Sequence, residues 1–208
     1  MNRTTRISLC IISVVLVSAL ASAQGMAAAK TTTAEKSTGF RAEALKEIDD
    51  VGGKTVALAE AIPQEKYSWR PGEGVRSVGE VFVHITGGNF LYMRMLGGKT
   101  PADIDMKALQ AATNDKAKVV EALKRSFDFV RQTVNSLPDA DLEKAVKMFG
   151  TDTTERHALF AAVVHQSEHL GQSIAYARSV GVVPPWTAKA EEDRKAAAAA
   201  KAAEKPKQ

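Results

Sequence analysis

Cysteine is almost absent. The only one among 208 residues is Cys10, which lies in an apolar amino-terminal run and follows Ile7-Ser8-Leu9, not the small residues of a lipid-attachment site. A chain cleaved after that run has no disulfide, no thiolate nucleophile and no sulfur ligand beyond methionine, which excludes Cys-based zinc sites and CxxCH haem attachment. No stretch alternates apolar and polar residues as a half-buried strand would, and no HExxH, Walker loop, GxSxG or glycine-rich dinucleotide turn occurs. Basic charge is scarcer than the formal +4 suggests. Setting aside Arg3, Arg6 and the six bases and four acids of the tail from Thr187 onward leaves 20 basic and 20 acidic side chains in residues 24–186. Without a basic excess in the folded part, no nucleic-acid partner is expected.

Residues 1–23 read as a cleaved secretory signal. Arg3 and Arg6 precede an apolar run from Ile7 to Leu20, and Ala21-Ser22-Ala23 has the small-x-small pattern of a cleavage site. The run is short for a membrane span, so no membrane association is expected after cleavage, and a periplasmic or secreted location follows. A polar Ala/Lys/Thr linker occupies 24–34, one domain is expected over 35–186, and the Ala/Lys/Glu-rich tail 187–208 has no apolar seam with which to dock.

Within the domain the pattern is helical throughout. Phe40, Ala44, Ile48, Val51, Leu58 and Ile62 mark a first amphipathic helix ending at Pro63, with Gly52-Gly53 expected to allow a kink or a close helix approach. A loop follows, 65–74, where Pro71 and two glycines forbid regular structure while Tyr67 and Trp69 need something to pack against. Ser77-Val-Gly-Glu80 fits a capping box, and a second helix runs from it to about Leu96. The passage 97–113 is long for a hairpin between neighbouring helices, which favours a long crossover connection. Val120, Leu123, Phe127, Val130, Val134 and Leu137 give the third helix a wholly apolar seam after an Asn114-Asp115 cap; 139–148 reads as a short helical segment. The fourth helix follows Gly150-Thr-Asp-Thr-Thr154 and ends near Gly181. The fold class is therefore all-α, a four-helix bundle.

The fourth helix carries the informative feature. Ala158, Ala162, His165, His169, Gln172 and Tyr176 share one face at bundle-seam spacing, so His165-Gln-Ser-Glu-His169 places two imidazoles one turn apart on an inward face. A polar group taken into a core without a partner costs on the order of 1 to 3 kcal/mol. From spacing alone two readings stay open, satisfied core histidines or ligands to a divalent metal such as Zn, Ni, Cu or Fe. His84 lies in a broad buried face of the second helix, whereas His157 is about 80° around its helix from His165. Three neutral imidazoles from two helices would leave coordination positions for water or substrate. Ferritin-like di-metal chemistry does not fit, since it needs ExxH pairs and Glu80 precedes His84 by four.

The stretches Ile62-Pro63 to Tyr67-Ser-Trp-Arg-Pro71, Arg76-Ser-Val-Gly-Glu-Val-Phe-Val-His84, His165-Gln-Ser-Glu-His-Leu-Gly-Gln172, Tyr176-Ala-Arg178 and Gly181-Val-Val-Pro-Pro185, in this order, resemble the DinB/YfiT-like family. The resemblance implies an antiparallel four-helix bundle with an unusual connection, often a homodimer, and a divalent metal, Zn or Ni, held by His84, His165 and His169. Similar proteins include thiol-dependent transferases and isomerases. An export signal sets this chain apart from cytoplasmic members, whose reduced thiols are scarce outside the cell interior. Two functions follow: a metal-dependent hydrolase or thiol/group transferase acting on a small molecule, with Gln172 and Tyr176 contacting substrate or bound water, or a non-catalytic metal or small-ligand binding module.

Overall fold

The computed structural model describes residues 39–203. The expected signal 1–23, the linker 24–34 and Cys10 lie outside the described residues. The expected bundle forms from four long helices: α1 (Phe40–Ala61), α2 (Val78–Met95), and two more that appear below with a short helix, α3 (Met106–Ala111), between. α4 spans Lys116–Ser136 and α5 spans Glu155–Ser179; a last helix, α6, covers Pro185–Ala203.

Local chemistry sets the ends of these helices. Ser77 Oγ accepts from the Glu80 amide while the Glu80 carboxylate accepts from the Ser77 amide, the complete capping box, so Glu80 is a cap. Asp115 and Thr154 cap α4 and α5 through single side-chain acceptors. α2 and α5 both close on a left-handed glycine, Gly97 and Gly181 (φ 84° each), whose following residue donates back into the last turn. α1 stops at Ala61, where Ile62 turns extended ahead of Pro63.

Each long helix packs on two others, in the cyclic order α1, α4, α2, α5. Asn89 Nδ2 donates to Ser126 Oγ (2.9 Å) midway along α2 and α4; Gly98, past the end of α2, abuts Thr133 and Phe129, and Gly79 at its start abuts the Thr113 carbonyl. α2 and α4 therefore run parallel. α1 is antiparallel to α4, since Arg41 at its start pairs with Asp139 (2.7 Å) and Lys116 Nζ reaches the Glu60 carbonyl (2.6 Å) at its end. α5 runs with α1, the Arg156 guanidinium lying 5.1 Å over the Phe40 ring. The connection 96–115 thus carries the chain back along the bundle, roughly 27 Å for the 18 residues of α2, with α3 packed on α2 and α4 through buried Leu109. Gly52 accounts for close approach of α1 to α4, as a Cβ there would sit 2.7 Å from the Phe127 ring. Nothing lies within 4 Å of a Cβ at Gly53.

One expectation gives way. The segment 139–148 is not one helix: a short 3₁₀ turn at Asp139–Asp141 leads into β1 (Ala145–Met148), which pairs antiparallel with β2 (Thr151–Thr154). β1 lays Val146 and Met148 partly against the core with Ala145 and Lys147 exposed, but four residues beside the polar, mostly exposed β2 are too short an alternation to mark a strand in sequence. The two-residue turn has positive φ at both positions, Phe149 (51°) and Gly150 (85°). That is a primed turn in which Asn-Gly is favoured and a phenylalanine is strained by roughly 1–2 kcal/mol. Pro185 opens α6, which takes in most of the tail as an exposed helix with no buried residue, although Trp186 packs partly against the core. Among the described residues no helix is long and apolar enough to cross a membrane.

Candidate metal centre

The antiparallel packing of α2 on α5 brings His84, two turns into α2, against His165 and His169 at the middle of α5. One ring nitrogen from each of the three lies within 4.8 Å of the other two. His84 Nε2 and His165 Nε2 are 3.2 Å apart, and the His169 ring stands edge-on to both, its centroid 4.6 Å from each. Two nitrogens each about 2.0–2.1 Å from one tetrahedral ion would stand about 3.3 Å apart, so the closest pair has ligand spacing. His157, in contrast, is exposed in the first turn of α5.

The electrostatics suit a cation between the rings. All three rings are half-buried. Burial, reinforced by the Arg76 charge and the His169 ring, pushes His84 down to about 4. Burial, then the His169 and His84 rings and Arg76, does the same to His165, also about 4. Both are therefore neutral at pH 7 with a lone pair to offer. His169 Nδ1 bonds Gln172 Oε1 (2.8 Å); an amide oxygen only accepts, so Nδ1 carries the proton and Nε2 keeps its lone pair. Neutral nitrogens converging in this way repel unless a proton or a cation lies between them. The donor set fits a divalent ion.

Supporting residues explain why the rings stay there. Gln172 Nε2 donates to Tyr176 Oη (3.1 Å), and the Tyr176 ring stands edge-on to Trp69 at 5.4 Å. Tyr67 anchors the same loop, fully buried with its hydroxyl on the Ala59 carbonyl (2.7 Å). The Tyr67/Trp69 loop thus packs onto the end of the bundle and props the Tyr176–Gln172–His169 chain. Beneath the histidines runs a buried polar ladder: Gln166 Nε2 donates to Asn89 Oδ1 (2.9 Å), Asn89 Nδ2 to Ser126 Oγ (2.9 Å) and Ser126 Oγ to the Leu123 carbonyl (2.7 Å). Gln166 Oε1 and His165 Nδ1 are buried without a partner.

Gly88 is the residue that sequence reasoning passed over. A Cβ there would lie 2.3 Å from His165 Cε1, so the ring packs directly on the α2 backbone. Its signal was legible, since Gly88 lies one turn after His84 on the same helix face. Beside this contact a cavity of about 350 Å³ opens onto His84 and His165, walled by α2, α3 and the hairpin turn. Gln172 and Tyr176 do not line it; they stand behind His169.

The sequence profile of the DinB superfamily matches residues 23–173, most of the chain. Three solved structures share the fold at low identity. A DinB-like protein from Bacillus cereus ATCC 10987 is 17% identical over 68% of this chain and 93% of its own, with a TM-score of 0.61. YjoA, a DinB-like protein from Bacillus subtilis, is 22% identical over 68% and 93%, with a TM-score of 0.54. YfiT from Bacillus subtilis, described as a probable metal-dependent hydrolase with an unusual four-helix bundle topology, is 18% identical over 69% and 89%, with a TM-score of 0.55. No curated protein matches. On the extent of the profile match, and with a bundle of the same architecture, this chain belongs to the DinB superfamily.

Proposed function

We propose that this protein is an exported, metal-dependent hydrolase of a small molecule, with a divalent ion, Zn or Ni, held by His84, His165 and His169. The observation that carries this reading is the cavity that reaches two of the three converging rings, since a storage or purely structural site has no need of an open side. The fold is shared with YfiT, itself described as a probable metal-dependent hydrolase. When bound, such an ion supplies Lewis acidity and a water of lowered pKa. The chain's own part is to hold the His84 and His165 rings neutral, to orient the His169 ring through Gln172, and to shape the adjoining space. Hydrolysis is preferred over transfer to a small thiol because, among the described residues, no Lys or Arg lines that space to pair with a charged thiol substrate, Arg76 acting on the rings without lining it. Export rests on the amino-terminal pattern of 1–23.

The test is metal analysis of the purified protein beside His165→Ala, with hydrolysis of a panel of uncharged esters and amides before and after chelation. About one ion per chain, lost in the variant, and turnover abolished by chelator are expected. Equal and negligible metal in both proteins refutes the metal reading; metal without turnover on any substrate leaves a binding module. Amino-terminal sequencing of the exported form should begin at Gln24.

A further inference from the structure

We infer that the cavity beside His84 and His165 is the subsite for an uncharged, apolar substrate body, and that Phe149 at the hairpin turn is a specificity-determining residue that covers it. The inference rests on the metal reading above and deepens it by naming the substrate class.

The walls are apolar where the site is not. Val83, Leu91, Tyr92 and Met106 supply hydrocarbon and aromatic surface, and among the described residues the Gln110 amide and the Tyr92 hydroxyl are the polar groups besides the histidines. Among the described residues no charged side chain lines the space, so a charged group placed there would lose hydration without an ion-pair partner on the walls. An uncharged aliphatic or aromatic group would instead bury its surface favourably, and the single amide of Gln110 offers one hydrogen bond to orient it. The substrate class is therefore a small ester or amide with an apolar acyl portion in the cavity and its carbonyl toward the histidines. In its hydrolysis water adds to the carbonyl carbon and the bond to the leaving oxygen or nitrogen breaks. The leaving group takes a proton from that water, and the acid is released.

Phe149 is misplaced by every local rule. It has φ 51° without being glycine, asparagine or aspartate, and it is 65% exposed. Backbone strain and an exposed phenyl ring both disfavour this residue, and neither is offset by packing in the core. The ring stands edge-on to Tyr92, 5.9 Å between centroids, on the cavity wall. An apolar ligand filling the cavity would supply the partner surface this ring lacks. Gly87 keeps the opposite wall open, and a Cβ there would reach only van der Waals contact with Met106 at 3.4 Å.

Hydroxamates provide the probe, because one end binds metal and the other can be varied. Calorimetric titration of the purified full chain loaded with zinc should show benzohydroxamate binding at least tenfold more tightly than acetohydroxamate. Phe149→Asn, which suits the turn, and Gly87→Leu, which fills the space, should each cut that ratio at least threefold. Metal content of Phe149→Asn should stay the same, and its melting temperature should hold or rise. A ratio near one in the unaltered protein, or an unchanged ratio in both variants, overturns the inference while leaving the metal site standing. A zinc-loaded chain that binds neither probe also overturns it; failure to load zinc at all overturns the metal reading, and this inference with it.

Discussion

Gly88→Ala separates the stability of this bundle from the integrity of its site. The added methyl would start 2.3 Å from His165 Cε1, 2.9 Å from Nδ1 and 3.1 Å from Nε2, whereas ordinary contact begins near 3.4 Å. The imidazole must retreat by about 1 Å, taking Nε2 away from the point it shares with His84 Nε2, now 3.2 Å distant. Alanine favours the helix by about 1 kcal/mol over glycine, while overpacking costs roughly 1–3 kcal/mol, so the net loss in stability is about 0–2 kcal/mol. At about 2–4 °C per kcal/mol for a chain of this size, the melting point of the metal-free protein should fall by no more than about 8 °C. Metal affinity should suffer far more, by about 10- to 100-fold, as when a ligand loses its supporting geometry. Gly171→Ala is the control, because nothing lies within 4 Å of a Cβ there; it should raise the melting point slightly and leave metal binding intact. Competitive zinc titration against a chromogenic chelator, beside calorimetry of both variants, measures the two effects separately. Wild-type zinc affinity in Gly88→Ala would show that His165 does not act from this position.

Three further outcomes follow from the same geometry. His84 and His165 are held neutral, with pKa values near 4 against 6.5 unfolded. Below pH 6.5 the unfolded chain takes up protons that the folded one refuses, so stability present at pH 7 should be lost as pH falls toward 4. Solvent screening of these half-buried rings reduces the loss to about 1–2 kcal/mol each, and urea titrations from pH 7 to 4 should find it reduced in the His84→Gln/His165→Gln double variant. Gln172→Leu removes the acceptor on His169 Nδ1 (2.8 Å) and should weaken zinc binding by about 10- to 100-fold, with Gln172→Glu restoring most of it in the same titration. Asn89→Ala strands the Gln166 amide in the core and removes the donor to Ser126 Oγ, and should cost about 2–4 kcal/mol in urea unfolding; a cost below 1 kcal/mol would show that the ladder contributes little.

The helices were legible because their signals are local. The seam of α4, the Ser77/Glu80 capping box and the Pro63 and Pro138 stops each act within a few residues. The candidate ligands were legible for the same reason, as polar residues at positions where the helical period demands apolar ones. The hairpin was not, because its strands are four residues each, β2 is wholly polar, and Phe149-Gly150 is not a turn pair that sequence rules favour. Nor was the Asn89–Gln166–Ser126 ladder, whose members lie 37 and 77 residues apart in sequence.

The amino-acid order by itself determined four amphipathic rods, their ends, and the three imidazoles they carry, since helix periodicity and capping depend on neighbours along the chain. Only the tertiary structure decided that α2 and α5 cross where His84 meets His165 and His169, that Gly88 lets one ring lie on the backbone, and that an uncharged cavity adjoins the pair. Those facts depend on which helix lies against which and at what register. That choice is made by burial and close packing summed over the whole core, and no short stretch of sequence contains it.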